Sequence, residues 1–260
     1  MKSVISIYSS CIALDALMGQ EPEFWNYGYW TPGTENSAQA SRQLLEYLTS
    51  KLPRTATKIL DVAFGKGTST LRLCEMFGAD RVTGVNIAPD QVELAKKRGV
   101  PCKLQVMDAG QLEFDPEVFD AILCIEAAFH FKSRLSFLKN AHKALKPGGK
   151  LVMSDLFFRT GHGVEPQIFP PENRINSLSE YIDVFAEAGF SPRLVSVEKT
   201  TELQLVPFMA DLATQANLFN EEIRAGTALE WGRARHVVRS LLNISDSVIV
   251  VAEKESSDGS

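Results

Sequence analysis

The sequence predicts a doubly wound α/β fold with a mostly parallel sheet of seven strands. Short β-branched runs alternate with helical patterns from Lys58 onward, which is typical of βαβ units. The segment Lys146–Gly149 contains one proline and two glycines, which stop a helix and turn the chain into the next strand. A chain of 260 residues is long enough for one such domain with a smaller cap.

Each element follows from the local pattern of apolar and turn residues. The predicted strands are Lys58–Val62, Arg81–Val85, Lys103–Val106, Phe119–Ile125, Lys150–Leu156, Arg193–Glu198 and Asp246–Glu253. The predicted helices between them are Thr68–Phe77, Pro89–Arg98, Arg134–Leu145 and Ser177–Ala188.

The interval between the last two strands predicts a cap. It runs for 45 residues, from Thr201 to Ser245, which is too long for a plain connection in a compact domain, and its content is helical and amphipathic. We therefore expect five parts. They are a helical and aromatic lid segment over 1–57, an α/β core over 58–200, a helical cap over 201–245, the final core strand over 246–254 and a disordered tail over 255–260.

Composition narrows the class of protein. The net charge is -5 and basic residues are not gathered into blocks, which argues against nucleic acid as a partner. No apolar run reaches the roughly 18 residues needed to cross a bilayer. The apolar stretch at the start is broken by Ser9, Ser10 and Asp15, so we expect a cytoplasmic protein and no signal peptide. The four cysteines lack metal-ligand spacing, and we expect no metal site.

A glycine turn follows the first predicted strand, in the segment ILDVAFGKGTST over residues 59–70. Gly65 and Gly67 have no side chain to intrude, so the backbone can come within contact distance of a ligand. A dinucleotide site would have a third glycine where Thr70 stands. Asp61 would repel phosphates and attract an ammonium group. The nearby end of the ligand is therefore expected to be cationic.

Asp61, Gly65 and Gly67 form the pattern Asp-x-x-x-Gly-x-Gly, which resembles motif I of the class I S-adenosylmethionine-dependent methyltransferases. The similarity extends over about 99 residues, from Lys58 to Leu156. The resemblance implies a Rossmann-like methyltransferase fold and S-adenosylmethionine as cofactor. It also implies that these three residues hold the methionine portion of the cofactor. An ordinary acidic residue at a strand-to-helix turn is the alternative for Asp61.

Two further segments match cofactor contacts of this family. Asn86 ends the second strand, where the family usually has an acidic residue on the ribose hydroxyls, and its uncharged amide can donate or accept. Ile87 and Gln91 follow in the same segment and are assigned to the cofactor with it. Asp108 resembles the contact to the adenine amino group, with the Ala109 amide beside it. Helix capping is the alternative for Asn86, and a solvated turn for Asp108.

The carboxyl end of the fourth strand predicts the catalytic site, because open α/β sheets bind ligands there. Glu126 is assigned to the cofactor, and His130 is the expected general base because a neutral imidazole takes a proton near pH 7. Asp155 closes the neighbouring strand and is expected to orient the imidazole. These positions resemble small-molecule natural-product O-methyltransferases, in which a His-Asp pair deprotonates a hydroxyl. A packed core histidine is the alternative.

Aromatic residues predict the surroundings of the site. Residues 24–30, FWNYGYW, resemble a segment that covers the cofactor in some natural-product methyltransferases, and Tyr27 is assigned to cofactor binding on that ground. A hydrophobic anchor for the N-terminal helix is the alternative. The candidates for the acceptor pocket are Phe157, Phe158, Phe169, Phe208, Met209 and Trp231. They suggest a bulky, partly apolar substrate, although aromatic residues in a cap are more often its core.

The leading hypothesis is methylation of a hydroxyl on a small-molecule secondary metabolite. N- or C-methylation is the close alternative, because aromatic π faces could also serve a carbon acceptor that passes through a cation. A nicotinamide dehydrogenase and a catalytically silent S-adenosylmethionine-binding protein are alternatives from other classes. The missing third glycine and Asp61 argue against the first, and the pair His130 and Asp155 argues against the second. Neither the acceptor nor the oligomeric state follows from the sequence.

Overall fold

The computed structural model describes residues 26–158, 169–211 and 244–256. Its strands are β1 Ile59–Val62, β2 Val82–Asn86, β3 Lys103–Val106, β4 Phe119–Ile125, β5 Leu145–Phe158, β6 Val195–Lys199 and β7 Ile244–Glu253. They form one sheet in the order β3-β2-β1-β4-β5-β7-β6. Strands β1 to β5 pair in parallel, whereas β7 runs antiparallel to both β5 and β6. The predicted doubly wound, mostly parallel sheet of seven strands is confirmed.

Helices connect and cover these strands. They are α1 Ser37–Ser50, α2 Thr68–Phe77, α3 Pro89–Lys97, α4 Arg134–Ala144 and α5 Leu178–Glu187, and residues 205–211 are also helical. Asn36, Ser133 and Ser177 begin α1, α4 and α5, and each side chain accepts a hydrogen bond from a first-turn backbone N–H. No helix within the three described ranges has both the length and the apolar character needed to cross a bilayer.

Alternation along each strand divides the core between the two faces of the sheet. In β1, Ile59 packs in a cluster with Leu44 of α1 and Leu73 of α2, whereas Leu60 packs with Phe137 of α4 and Phe185 of α5. Successive strand residues point to opposite faces, so one buried strand supplies both layers. The sheet is thereby covered on both sides, and its carboxyl edge is left for ligands.

The start of β5 differs from the prediction. Leu145 was expected to end a helix, but it pairs with Phe119 on β4, and the register shifts before the next pair. A Cβ on Gly149 would come within 2.8 Å of the Lys146 carbonyl oxygen and 3.1 Å of the Phe119 carbonyl oxygen. The predicted turn between helix and strand is therefore a close-packed irregularity within the beginning of β5.

Several predicted parts fall partly outside the described ranges. The helix at 205–211 lies in the predicted cap, and residues 212–243, with Trp231, lie outside the description. The same holds for residues 1–25 of the predicted lid segment and 257–260 of the predicted tail. The division into lid, core, cap and tail stays a prediction.

Candidate active site

A cavity of about 330 Å³ opens at the carboxyl edge of the sheet, beside the ends of β1, β2, β3 and β4. Parallel strands end at the same edge, so residues far apart in the chain meet there. Nine of the predicted site residues line it: Asp61, Gly65, Asn86, Ile87, Gln91, Asp108, Ala109, Glu126 and His130. Gly67, Tyr27 and Asp155 were also predicted and are not among the lining residues.

The glycine turn places two glycines in different surroundings. Gly65 has φ +55°, and a Cβ built there would meet no atom within 4 Å, so its α-carbon faces open space at the cavity. Gly67 has φ +88°, and a Cβ there would come within 2.8 Å of the Ala95 Cβ and 3.0 Å of Val100. Gly67 therefore allows α2 to pack closely against α3, where a contact to the cofactor was predicted.

A strained residue precedes these glycines. Ala63 lines the cavity with φ +60°, in the left-handed region that disfavours residues with a Cβ. Its N–H donates a 2.8 Å hydrogen bond to the carbonyl oxygen of Val85 on β2. Glu126, at the end of β4, also has a positive φ of 44°. Unfavourable backbone conformations of this kind concentrate at functional sites.

Asp61 supports the glycine turn through hydrogen bonds to the first turn of α2. It is 1% exposed, and its Oδ2 accepts hydrogen bonds from Ser69 Oγ at 2.8 Å and Thr70 Oγ1 at 2.7 Å. Burial raises the pKa of Asp61 to about 6, against the lowering effect of the two hydroxyls. Asp61 thus ties the end of β1 to the first turn of α2 while it lines the cavity.

Two amide side chains face the cavity after β2. Asn86 Nδ2 donates a 2.8 Å hydrogen bond to Gln91 Oε1, and Asn86 Oδ1 accepts from the Ala88 N–H at 3.0 Å. The second bond goes to the N–H of Ala88, the residue before α3, and α3 has no side-chain capping bond, so Asn86 does not cap the helix. The edge of the site that was predicted for ribose is uncharged, with Asn86 and Gln91 held together.

Asp108 caps a short turn after β3. Its Oδ1 accepts a 2.8 Å hydrogen bond from the Gly110 N–H, and Ala109 is buried at the start of that turn. The Nδ2 of Asn140 on α4 donates to the Gly110 carbonyl oxygen at 3.0 Å. The turn is therefore held from both sides, with Asp108 and Ala109 at the cavity wall.

Glu126 is a buried carboxyl group at the cavity wall. Its Oε2 accepts a 3.0 Å hydrogen bond from the Tyr27 backbone N–H, and its Oε1 accepts one of 3.0 Å from Gln204 Nε2. Burial raises the pKa of Glu126 to about 8, and the charge of Asp155 acts in the same direction. The carboxyl group joins three separate segments of the chain next to the cavity.

His130 lines the cavity from a short 3-10 turn, Ala128–His130, which follows β4. Its imidazole packs against the Phe129 ring, with 3.9 Å between ring centroids. Asp155 lies behind this wall with no exposed surface. Its carboxylate accepts hydrogen bonds from Arg134 Nε at 2.7 Å, Tyr181 OH at 2.8 Å and the Leu156 N–H at 2.9 Å.

Asp155 forms an ion pair with Arg134 that was not predicted, and the orientation of His130 by Asp155 stays a prediction. Arg134 is 1% exposed, and a buried guanidinium requires an anionic partner within reach. The prediction considered only the two strands and overlooked the first residue of α4.

The aromatic candidates pack with one another. Tyr27 meets the Phe208 ring, in the helix at 205–211, edge-on at 4.7 Å. Its assignment to the cofactor stays a prediction. Phe158, Phe169, Phe208 and Met209 belong to one apolar cluster, and Phe157 belongs to the main core. None of these described candidates lines the cavity. They carry no argument for an apolar acceptor.

Four residues important to the site were not predicted. Asn26 lines the cavity and is 5% exposed, and Ser69 and Thr70 brace Asp61. Gln204 is fully buried and holds Glu126. Asn26 belongs to the aromatic segment 24–30, and the two hydroxyl residues follow the glycine turn, so their neighbourhood was a usable signal. Gln204 had no such signal.

Comparison with known proteins identifies the family. Residues 59–149 match the model of a methyltransferase domain. Those residues contain the glycine turn, the ends of β2 and β3, and His130. Residues 59–149 therefore form a methyltransferase domain, and the chain is similar to the class I S-adenosylmethionine-dependent methyltransferases.

Relatives of this chain carry names of natural-product enzymes. Erythromycin 3''-O-methyltransferase from Saccharopolyspora erythraea is 33% identical over 143 residues, covering 52% of this chain and 47% of that protein. The alignment therefore spans about half of that relative. (+)-O-methylkolavelool synthase from Herpetosiphon aurantiacus is 28% identical, covering 87% and 85%. 27-O-demethylrifamycin SV methyltransferase from Amycolatopsis mediterranei is 28% identical, covering 69% and 70%.

Solved structures share the fold of this chain. The [4+2]-cyclase SpnF has a TM-score of 0.77 at 21% identity, covering 97% of this chain and 96% of that one. Geranyl diphosphate C-methyltransferase from Streptomyces coelicolor A3(2) has a TM-score of 0.67 at 17% identity, covering 95% and 94%. Identities this low show the fold alone, which does not decide the reaction.

The cavity fits S-adenosylmethionine, the cofactor of this kind of domain. Gly65 leaves room for a ligand against the backbone, and three carboxyl groups, those of Asp61, Asp108 and Glu126, stand in the wall. A sulfonium and an ammonium group are cationic, and the carboxylates of Asp61 and Asp108 favour them at close range. Glu126, with its pKa raised to about 8, presents a neutral carboxyl group at neutral pH. The uncharged pair Asn86 and Gln91 offers donors and acceptors for hydroxyl groups.

Proposed function

We propose that this methyltransferase transfers a methyl group to a hydroxyl of a small-molecule secondary metabolite, with His130 as general base. The observation that carries the proposal is the position of His130, which lines the same cavity as Gly65, Asn86 and Asp108. A base must lie within hydrogen-bond reach of the proton it removes. The proposed base and the proposed cofactor residues therefore line one cavity.

The proposed cofactor contacts follow the order of the strands. Asp61 and Gly65 hold the methionine portion, Asn86 with Ile87 and Gln91 holds the ribose, and Asp108 with Ala109 holds the adenine. Glu126 faces the cofactor from the end of β4. All of these residues line the cavity, which supports the assignment. Gly67 and Tyr27 act indirectly, by helix packing and by the backbone bond to Glu126.

The chemistry requires little of the protein beyond placement. S-adenosylmethionine, when bound, supplies a methyl group already activated by a sulfonium. The chain must hold the acceptor hydroxyl in line and remove its proton. His130 has the side chain for the second task, because a neutral imidazole accepts a proton near pH 7. The nearby turn residues Ala127, Phe131 and Lys132 complete the wall on the His130 side.

The hydroxyl acceptor is proposed from the relatives. Three of them, aligned over 52% to 87% of this chain, are named for O-methylation of erythromycin, kolavelool and rifamycin. N- and C-methylation are the competing functions. Phosphoethanolamine N-methyltransferase 1 from Zea mays is 26% identical over 182 residues, and a C-methyltransferase shares the fold. A silent S-adenosylmethionine-binding protein remains the alternative from another class.

Calorimetric titration with S-adenosylmethionine, S-adenosylhomocysteine and NADH tests the cofactor first. Binding of both sulfur nucleosides without NADH supports the site, and binding of NADH alone refutes it. Formation of S-adenosylhomocysteine is then measured with a panel of hydroxylated, amino and carbon acceptors. Turnover restricted to amino or carbon acceptors would overturn the hydroxyl assignment.

The role of His130 is tested on the accepted substrate. We expect His130→Ala to lower turnover by about 10² or more, because the proton loses its acceptor. His142→Ala is the matched control, since that histidine lies on α4 against Phe190 and away from the cavity lining. Near-normal turnover of His130→Ala at saturating substrate would exclude His130 as the base.

A further inference from the structure

The Asn173 side chain forms hydrogen bonds with the backbone before and after His130 in the sequence. It lies in a short 3-10 turn, Pro171–Asn173, and is 1% exposed. Its Nδ2 donates hydrogen bonds to the carbonyl oxygens of Phe129 at 3.2 Å and Phe131 at 2.6 Å. Its Oδ1 accepts a bond of 2.6 Å from the backbone N–H of Arg134. One buried amide therefore binds the backbone immediately before and after His130.

The turn held by Asn173 is a 3-10 turn of three residues, Ala128–His130. The His130 N–H donates to the Ala127 carbonyl oxygen at 2.9 Å, and the Phe131 N–H donates to Ala128 at 3.2 Å. A 3-10 turn of this length is a weak element, because its hydrogen-bond geometry is poor. Arg134 stands at the first position of α4, where a backbone N–H has no partner within the helix. Asn173 supplies that partner.

Arg134 in turn holds Asn173. Its Nη1 donates a 2.6 Å hydrogen bond to the Asn173 carbonyl oxygen, and its Nε forms the 2.7 Å ion pair with Asp155. Its Nη2 donates to the Leu156 carbonyl oxygen at 3.3 Å. The Tyr181 ring lies 5.4 Å from the guanidinium carbon, and its hydroxyl shares Asp155. A continuous set of buried contacts runs from Asp155 to the backbone around His130.

We propose that Asn173 is a positioning residue for His130, and that Asp155 reaches this histidine through Arg134 and Asn173. The proposal rests on the proposed function in taking His130 as the base. A base displaced by about 1 Å can lose a factor of about 10² in rate, so the placement of this turn matters to catalysis. Asn173 touches the backbone of the turn and does not itself line the cavity.

Histidine NMR tests the proposal without any turnover. The chain has four histidines, and His130→Gln assigns the His130 ring signals. Asn173→Ala and Asn173→Ser are compared with Asn140→Ala, whose side chain also bonds backbone carbonyl oxygens but at another turn. We expect both Asn173 variants to change the His130 protonation constant about threefold or more and to leave His142 unchanged, because the imidazole moves in its surroundings.

The outcomes separate positioning from general stabilisation. The proposal is overturned if His130 titrates in the Asn173 variants as it does in Asn140→Ala. Equal changes at His130 and His142 indicate a general loss of packing and also overturn it. Once an acceptor is known, turnover should fall in the Asn173 variants with the KM for S-adenosylmethionine unchanged.

If the variants fail to fold, amide hydrogen exchange in the unaltered protein still tests the proposal. The Arg134 amide should exchange its hydrogen far more slowly than the amide of Leu178, which holds the same first position in α5. Equal exchange rates would show that Asn173 does not hold the turn. Full turnover of His130→Ala would refute the base and the proposed function, whereas the exchange and titration results judge Asn173 independently.

Discussion

The backbone N–H of Tyr27 donates a hydrogen bond of 3.0 Å to Oε2 of Glu126, across 99 positions of sequence. Gln204 Nε2 holds the other carboxylate oxygen at the same distance. The N-terminal segment and the segment before the helix at 205–211 are therefore both attached to the end of β4, at the cavity wall. This attachment depends on a titratable group, which makes it sensitive to pH.

We expect Glu126 to make stability fall as pH rises. Its pKa is about 8 in the folded protein against an ordinary 4.5, so the folded chain keeps a proton that the unfolded chain loses across that window. The stabilisation is complete below about 4.5 and is lost as pH passes about 8. One such proton contributes a slope of up to about 1.4 kcal/mol per pH unit.

Urea unfolding of Glu126→Gln across this range checks the expectation. Asp61 contributes in the same direction only up to about 6, so the interval from there to about 8 isolates Glu126. The variant should have a shallower slope in that interval. Glu75→Gln, on the exposed surface of α2, is the control and should keep the slope of the unaltered protein. A slope unchanged by Glu126→Gln would contradict the raised pKa.

The two glycines of the turn should respond differently to alanine. Gly67→Ala forces a Cβ to 2.8 Å from Ala95 at φ +88°, and we expect a loss of about 2–5 kcal/mol of unfolding free energy from overpacking and left-handed strain. Gly65→Ala meets open space, so only about 1–2 kcal/mol of backbone strain is expected. Its methyl group would instead occupy the cavity and weaken cofactor binding.

Urea unfolding and calorimetric titration with S-adenosylhomocysteine separate these effects. Gly65→Ala should show the greater loss of affinity relative to its loss of stability. The reverse pattern, with Gly67→Ala stable but unable to bind, would restore Gly67 to the cofactor site.

The buried ion pair should be costly to break from one side. Asp155→Ala leaves the Arg134 guanidinium without its anionic partner at 1% exposure, and we expect about 3–5 kcal/mol of destabilisation. Glu187→Ala breaks the ion pair between Lys139 and Glu187, whose side chains are 51% and 62% exposed, respectively. This variant should have little effect on stability. Thermal and urea unfolding compare the two variants. Equal stabilities would mean that Asp155 is not the main partner of Arg134.

Asp108→Asn should weaken binding of S-adenosylhomocysteine about tenfold, because the proposed adenine contact loses its charged acceptor. Asparagine keeps the oxygen that caps the Gly110 N–H, so the turn should stay folded. Asp115→Asn, an exposed residue in the following loop, is the control. Calorimetry is the measurement, and an affinity equal to that of Asp115→Asn would remove Asp108 from the cofactor site.

Local patterns predicted most elements of this fold to within two residues. The predicted β3, β4 and α2 agree with the observed bounds, β1 and α3 differ by one residue at one end, and β2 and α5 differ by one residue at each end. The exception is β5, which starts at Leu145 because that residue pairs with Phe119 on a neighbouring strand. Strand alternation and helix caps depend on residues that are close in the sequence, whereas pairing across the sheet depends on residues that are far apart in it.

Local sequence patterns were enough to predict the cofactor class and the edge of the sheet where the site lies. The glycine turn, Asn86, Asp108 and His130 each follow a strand directly, and parallel strands bring such positions together. Only the tertiary structure decided that Asp155 pairs with Arg134, that Gly67 serves helix packing and that Asn173 holds the His130 turn. Those contacts join residues 21 to 44 positions apart, or depend on the space between two helices. Burial and the need to pair every buried charge selected these partners, and both are properties of the assembled chain.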